Sequence, residues 1–153
     1  MKRVLHTGGP NTLNMYLTTA GDYLGWAYLP SIVDQGNSFL DGVVIDWESL
    51  RGASPTYQGR YDQGETATHE VGHWLNLEHT FFHGCNGAGD FVDDTPYEAT
   101  PTSGCPVGKD TCPAPGLDPI HNYMDYSYDQ CYTEFTAGQS ARMQDAWLTF
   151  RAP

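Results

Sequence analysis

The stretch HEVGHWLNLEH, residues 69–79, places three histidines within eleven positions. On a helix, residues four apart share a face, so His69 and His73 can bind one ion together. Glu70, next to His69, can reach a water on that ion without ligating it, which is the mechanical content of HExxH. His79 lies six residues past His73, and a continuous helix would turn it away and carry it about 9 Å along the axis. For His79 to join the pair, the helix must stop and the chain must reverse. That needs a left-handed residue near position 76. Glycine does this best, and asparagine, present here as Asn76, is the next most tolerant.

Hydrophobic patterning supplies the surroundings. TLNMYLTT (12–19) alternates and reads as a strand. YLGWAYLP (23–30) is a shorter strand stopped by Pro30, and GVVIDWESL (42–50) is a β-branched strand buried on both faces. ETATHEVGHWLNL (65–77) reads as a helix with Ala67, Val71, Trp74 and Leu75 on its apolar side. Gly72 weakens that helix by about 1 kcal/mol relative to alanine, which points to close packing there. FTAGQSARMQDAWLTF (135–150) reads as a second helix, with Thr136 and Gln139 as a capping box and Met143, Ala146, Trp147 and Phe150 on one face. Residues 80–121 carry little periodicity. So long an irregular segment is uncommon unless something ties it down, and disulfides and a bound cation would do so. The length suits one domain, or two small lobes sharing one site.

A formal net charge of -12 argues against nucleic acid as a partner, because phosphate binding needs clustered lysine and arginine. It leaves cation binding and attraction of basic substrates. No run is long and apolar enough to span a membrane. Cys85, Cys105, Cys112 and Cys131 form no CxxC pair, which disfavours a cysteine zinc site. Their even number suits two disulfides and an oxidising compartment, with three pairings open. MKRVLHTGGPNT is followed by no apolar core and is not a signal peptide, so any export signal is expected outside this chain.

Further along stands NYMDYSYDQC (122–131). With it the sequence resembles the metzincin metallopeptidases, whose pattern is HExxHxxGxxH followed by a methionine-containing turn. Within them it resembles the pappalysin family, in particular its smaller secreted microbial members, the ulilysin-like and fungal enzymes. THEVGHWLNLEHTF, GDFVDDTP, HNYMDYSYDQC and FTAGQSARM match that family's blocks in order, and DGVVIDWESL resembles the strand before its active-site helix. The likeness covers most of residues 4–150 and departs from the pattern at Asn76, where the pattern has glycine.

The resemblance implies an α/β (α+β) fold of zincin type within a single catalytic domain, 1–153. A mixed twisted sheet and the active-site helix would form an upper subdomain, 1–78. An irregular, disulfide-tied lower subdomain, 79–153, would hold the third ligand, the Met-turn and a C-terminal helix. It implies Zn2+ on His69, His73 and His79, Glu70 as general base, Met124 packed beneath the metal and Tyr126 as a phenol for the oxyanion. Asp129 would sit at the base of the pocket for the residue after the scissile bond, hence cleavage before Arg or Lys. Asp90 and Thr95 in GDFVDDTP would help hold a structural Ca2+. The implied disulfides are Cys85–Cys112 and Cys105–Cys131. LGWAYLP would be the edge strand that pairs with extended substrate.

The resemblance further implies extracellular action on proteins or peptides, without nucleic acid or membrane, and says nothing of oligomeric state. Family catalytic domains carry a strand, a long helix and another strand before the segment matching 12–19. The expectation is therefore a catalytic domain lacking its N-terminal part. The alternative is a truncated or inactive relative that binds metal or peptide without turnover, although a retained Glu70 argues against decay by point substitution.

Overall fold

In the computed structural model, which describes residues 1–152, the valine and isoleucine run becomes the middle of a three-stranded sheet. The strands are β1 (Met15–Thr18), β2 (Gly25–Ala27) and β3 (Val43–Asp46). β3 runs parallel to β1 and antiparallel to β2. All four β3 residues are buried, as expected of a strand covered on both faces. β2 forms one margin of the sheet, while Met15 and Leu17 of β1 stay largely exposed.

The strands are shorter than their apolar patterns. β3 stops at Asp46 because that side chain accepts the Glu48 N–H and starts a 3-10 turn, Trp47–Ser49. Before β1, the Asn14 side chain bonds the main chain of Thr7 and Thr12, which holds that stretch in a loop.

Among the described residues there are three α-helices: α1 (Lys2–Leu5), α2 (Glu65–Trp74) and α3 (Ala137–Ala146). α2 lays Ala67, Val71, Trp74 and the following Leu75 against Val43 and Ile45, and this is the hydrophobic core. α3 begins with the full capping box of Thr136 and Gln139. Asp94 reinforces it by accepting the Thr136 hydroxyl at 2.7 Å and the Gly138 N–H at 2.8 Å. α3 runs on into a wider π turn, Trp147–Arg151. That turn delivers Arg151 into the interior, where its guanidinium pairs with Asp41 at 2.6 and 3.1 Å and lies 3.8 Å from the Trp74 ring.

Between α2 and the short 3-10 turn Asp129–Cys131 there is no helix or strand. Two disulfides, Cys85–Cys112 and Cys105–Cys131, tie this segment down. So does a cation belonging to the chain itself: the Lys109 ammonium lies 2.6 Å from Glu98 and 3.1 Å from Asp118. Among the described residues, no helix is long and apolar enough to cross a membrane.

Candidate active site

α2 ends where the three-histidine arrangement requires it to. Asn76 adopts the left-handed conformation, with φ of 75°. The Leu77 N–H reaches back to Gly72 O and the Asn76 N–H to His73 O, both at 2.9 Å. This is the paired bonding of a Schellman stop, with asparagine in the place glycine usually takes. Arg142 of α3 donates through Nε to the Asn76 carbonyl at 2.7 Å, holding the reversal from outside.

The reversal brings His79 back to the helix. Its Nε2 lies 3.0 Å from His73 Nε2, which lies 3.1 Å from His69 Nε2. His69 Nδ1 meets the Tyr123 carbonyl at 2.6 Å and His73 Nδ1 meets the Leu77 carbonyl at 2.7 Å. Each of these carbonyls needs a proton on Nδ1, so Nε2 of both rings carries a lone pair. Burial pushes all three imidazoles below the usual histidine range, His79 to about 3, which favours their neutral form. Lone pairs converging this closely repel one another unless they share a cation. Tetrahedral zinc ligands at 2.0–2.1 Å stand about 3.3 Å apart, so the donor set and its spacing fit zinc. These three histidines are the one such cluster among the described residues.

Glu70 is buried beside them, and its Oε2 has no hydrogen-bond partner. Burial raises its carboxyl to about 8, against the opposing pull of Lys2. A side chain at Gly25 would meet the Glu70 side chain at 2.9 Å and the Val44 carbonyl at 2.7 Å, so glycine lets β2 pass close over the carboxylate. Asp46 N–H donates to Leu24 O at 2.7 Å. Antiparallel alternation then turns the backbone groups of Gly25 and Ala27 outward, along a cleft of about 460 Å3.

Met124 is fully buried, with its sulfur against Gly72. The Tyr126 hydroxyl lies 3.1 Å from His79 Nε2, and Phe81 stacks on the His79 ring at 4.8 Å with an 11° tilt. Asp129 lines the cleft, as do Tyr61 and Tyr132. It is buried, and its Oδ2 accepts the Gln63 N–H at 2.8 Å, two residues before α2 begins. α2 has no side-chain cap from its N-cap residue, Gly64, and Asp129 instead fixes the residue just before that cap. Apart from this group, Asp90 and Thr95 share a cavity of about 220 Å3 with Asp93. Asp90 Oδ2 and Thr95 Oγ1 are buried there without partners, an oxygen set compatible with calcium.

Gly25 and Phe81 lie inside stretches that the resemblance marks, LGWAYLP and THEVGHWLNLEHTF, but nothing there singles out either residue, and Glu98 lies in no motif. Phe81 has the strongest signal, as an aromatic two residues beyond a candidate ligand. Glu98 and Lys109 are eleven residues apart in an irregular loop, and no spacing rule pairs them.

Comparison with known proteins gives a consistent picture. The Peptidase M43 family model, described as pregnancy-associated plasma protein-A, matches residues 25–147. An extracellular metalloprotease of Neurospora crassa is 52% identical over 156 residues, covering 99% of this chain and 54% of its own length. Extracellular metalloprotease 1 of Coccidioides posadasii is 51% identical over 155 residues, covering 99% and 55%. The structure of Tannerella forsythia mature mirolysin in complex with a cleaved peptide superposes with a TM-score of 0.79 at 38% identity. That match covers 91% of this chain and 53% of mirolysin. The chain thus spans about half the length of the curated relatives it matches.

Proposed function

The chain belongs to the Peptidase M43 (pappalysin) family, and on that premise we propose that it forms the metal centre and substrate cleft of a secreted zinc endopeptidase. The observation that carries this reading is the convergence of three imidazole Nε2 atoms beside a buried, unpartnered carboxylate in an open cleft. The extracellular naming of the relatives supports secretion, and the cleaved peptide in the mirolysin structure supports a peptide substrate. Residues 1–78 are the upper subdomain and 79–153 the lower.

Zinc, when bound, supplies Lewis acidity at the reacting carbonyl and lowers the pKa of a water. The outward backbone groups of Gly25 and Ala27 pair with extended substrate and hold it along the cleft. Glu70, desolvated and free at Oε2, accepts the proton of the attacking water and returns it to the leaving amine. The Tyr126 phenol, on the cleft side of His79, donates to the oxyanion. Asp129 presents negative charge in the cleft, which favours Arg or Lys after the scissile bond. Asp90 and Thr95 hold a structural calcium that stiffens the loop after the third ligand.

The test is to measure bound metal and to offer peptides with Arg, Lys or Leu after the test bond. One zinc per chain and chelator-sensitive cleavage, abolished in Glu70→Ala, is the expected result. One zinc without turnover identifies an inactive relative instead, and no stoichiometric zinc defeats both readings.

A further inference from the structure

His79 is held differently from its two partners. His69 and His73 sit on α2, each with Nδ1 on a main-chain carbonyl. His79 stands beyond the helix, and among the described residues its side-chain hydrogen-bond contacts involve only Nε2. On one side its backbone is set by the Asn76 reversal. On the other stands Thr80, whose N–H donates to the Met124 carbonyl at 3.2 Å. The Thr80 hydroxyl donates to Glu98 Oε2 at 2.7 Å, and both residues are buried.

Glu98 is the hub of a larger network. Its Oε1 accepts from Lys109 Nζ at 2.6 Å and from the Thr102 hydroxyl at 2.9 Å. The same ammonium meets Thr100 O at 2.6 Å, the Thr102 hydroxyl at 3.0 Å and Asp118 Oδ2 at 3.1 Å. Desolvation alone would lower the Lys109 pKa, but its bonds to Glu98 and Asp118 outweigh it and raise the group above its ordinary value. The Thr102 N–H donates to Asp125 Oδ1 at 2.9 Å, one residue past Met124. Burial raises the Glu98 carboxyl above its usual range, and the bonds from Lys109, Thr80 and Thr102 oppose that shift in favour of the charged form.

We propose that Glu98, with Lys109 as its internal counter-ion, is the positioning residue for His79 and acts through the Thr80 hydroxyl. The role rests on the zinc reading above. Because His79 has no carbonyl anchor of its own, the backbone on its C-terminal side must supply the rigidity that α2 gives the other two ligands. Partners that orient metal ligands from behind typically govern affinity by about tenfold to a hundredfold.

The test uses zinc affinity by chelator competition, together with the visible spectrum of the cobalt-substituted protein. Thr80→Val removes the hydroxyl that meets Glu98. It is expected to weaken zinc about tenfold or more and to alter the cobalt spectrum. Thr80→Ser keeps the donor and is expected to restore both. Asp118→Asn loosens the same ammonium without touching Thr80. It is expected to lower the melting temperature while leaving zinc affinity within about threefold of the parent, well short of the loss ascribed to an orienting partner. The proposal is overturned if Thr80→Val binds zinc as tightly as the parent, or if Asp118→Asn weakens zinc as much at equal loss of stability. A parent chain that takes up no zinc overturns the zinc reading itself, and that is seen before any variant is compared.

Discussion

The sulfur of Met124 packs directly against Gly72, in space that a Cβ at position 72 would have to share. α2 therefore approaches the Met-turn more closely than any other residue at 72 would allow. Helix propensity alone favours Gly72→Ala by about 1 kcal/mol. Overpacking a buried contact typically costs 1–3 kcal/mol, so the substitution is expected to be destabilising by roughly that amount, less the propensity gain. It should also weaken metal binding, since Met124 and Tyr123 lie on the same turn and the Tyr123 carbonyl holds His69. Chemical denaturation and chelator competition check this, and a variant more stable than the parent would show the contact to be slack.

Asn76 makes the reversal possible but is not the best residue for it. Asn76→Gly is expected to be stabilising or neutral, because glycine meets φ of 75° without a Cβ penalty. Asn76→Val is expected to cost about 1–2 kcal/mol or more, since a β-branched residue resists the left-handed region. It should weaken zinc binding together with stability. Unaltered zinc affinity in the valine variant would mean that His79 does not depend on the turn.

The grouping of the three histidines was legible in the sequence because each element of it is local. His69 and His73 obey helical spacing, and the six-residue gap to His79 demands a left-handed stop that only a few residue types provide. The sheet was legible in the run 43–45, whose burial on both faces needs no long-range knowledge. The supports were not. Glu98, Lys109 and Asp118 meet through loop geometry, and nothing in their spacing marks a shared ammonium. Asp129 could be read as a cleft residue from the resemblance, yet its bond to the Gln63 N–H joins positions 66 apart and appears only in three dimensions.

Arg151 and Asp41 show the same limit, and they support a sharp expectation. They form a bidentate pair with both side chains almost wholly buried, and Arg151 also donates to the Trp74 carbonyl at 2.8 Å. Removing one partner strands the other charge in the interior. Arg151→Met is therefore expected to cost about 3–5 kcal/mol, and Asp41→Asn somewhat less because the amide still accepts. Thermal unfolding measures both, and a loss below about 1 kcal/mol, typical of an exposed pair, would show that water reaches this one.

Lys2 gives a pH dependence of defined sign. Its Nζ sits at 2.7 Å from both the Leu40 and Gly42 carbonyls. Burial lowers its pKa from 10.5 to about 8, opposed by Asp41 and Glu70. Between those two values the unfolded chain binds more protons than the folded one, so Lys2's contribution to stability rises with pH across that window. Below about 8 both states hold the proton and the slope vanishes. Subtracting the stability of Lys2→Met from that of the parent, pH by pH, isolates this contribution. A difference that is flat or falls between pH 8 and 10.5 would contradict the assignment.

Asp129 faces two ways, and its substitutions should separate the two roles. One oxygen accepts the Gln63 N–H just before α2, while the residue also lines the cleft. Asp129→Asn keeps an acceptor for that N–H but removes the charge. If the charge selects basic residues, kcat/KM for Arg and Lys peptides should fall on the order of 30-fold or more, with a leucine peptide little affected. Asp129→Ala removes both charge and acceptor. It leaves the Gln63 N–H, just before the N-cap of α2, without its acceptor, at a cost of about 1–3 kcal/mol. Turnover of every peptide should then fall, because His69 and Glu70 lie on the helix whose start has loosened. Amide exchange in the first turn of α2 provides a readout independent of substrate, faster in the alanine variant than in the asparagine one. An unchanged ratio of arginine to leucine cleavage in Asp129→Asn would remove Asp129 from specificity and leave it only the support of α2.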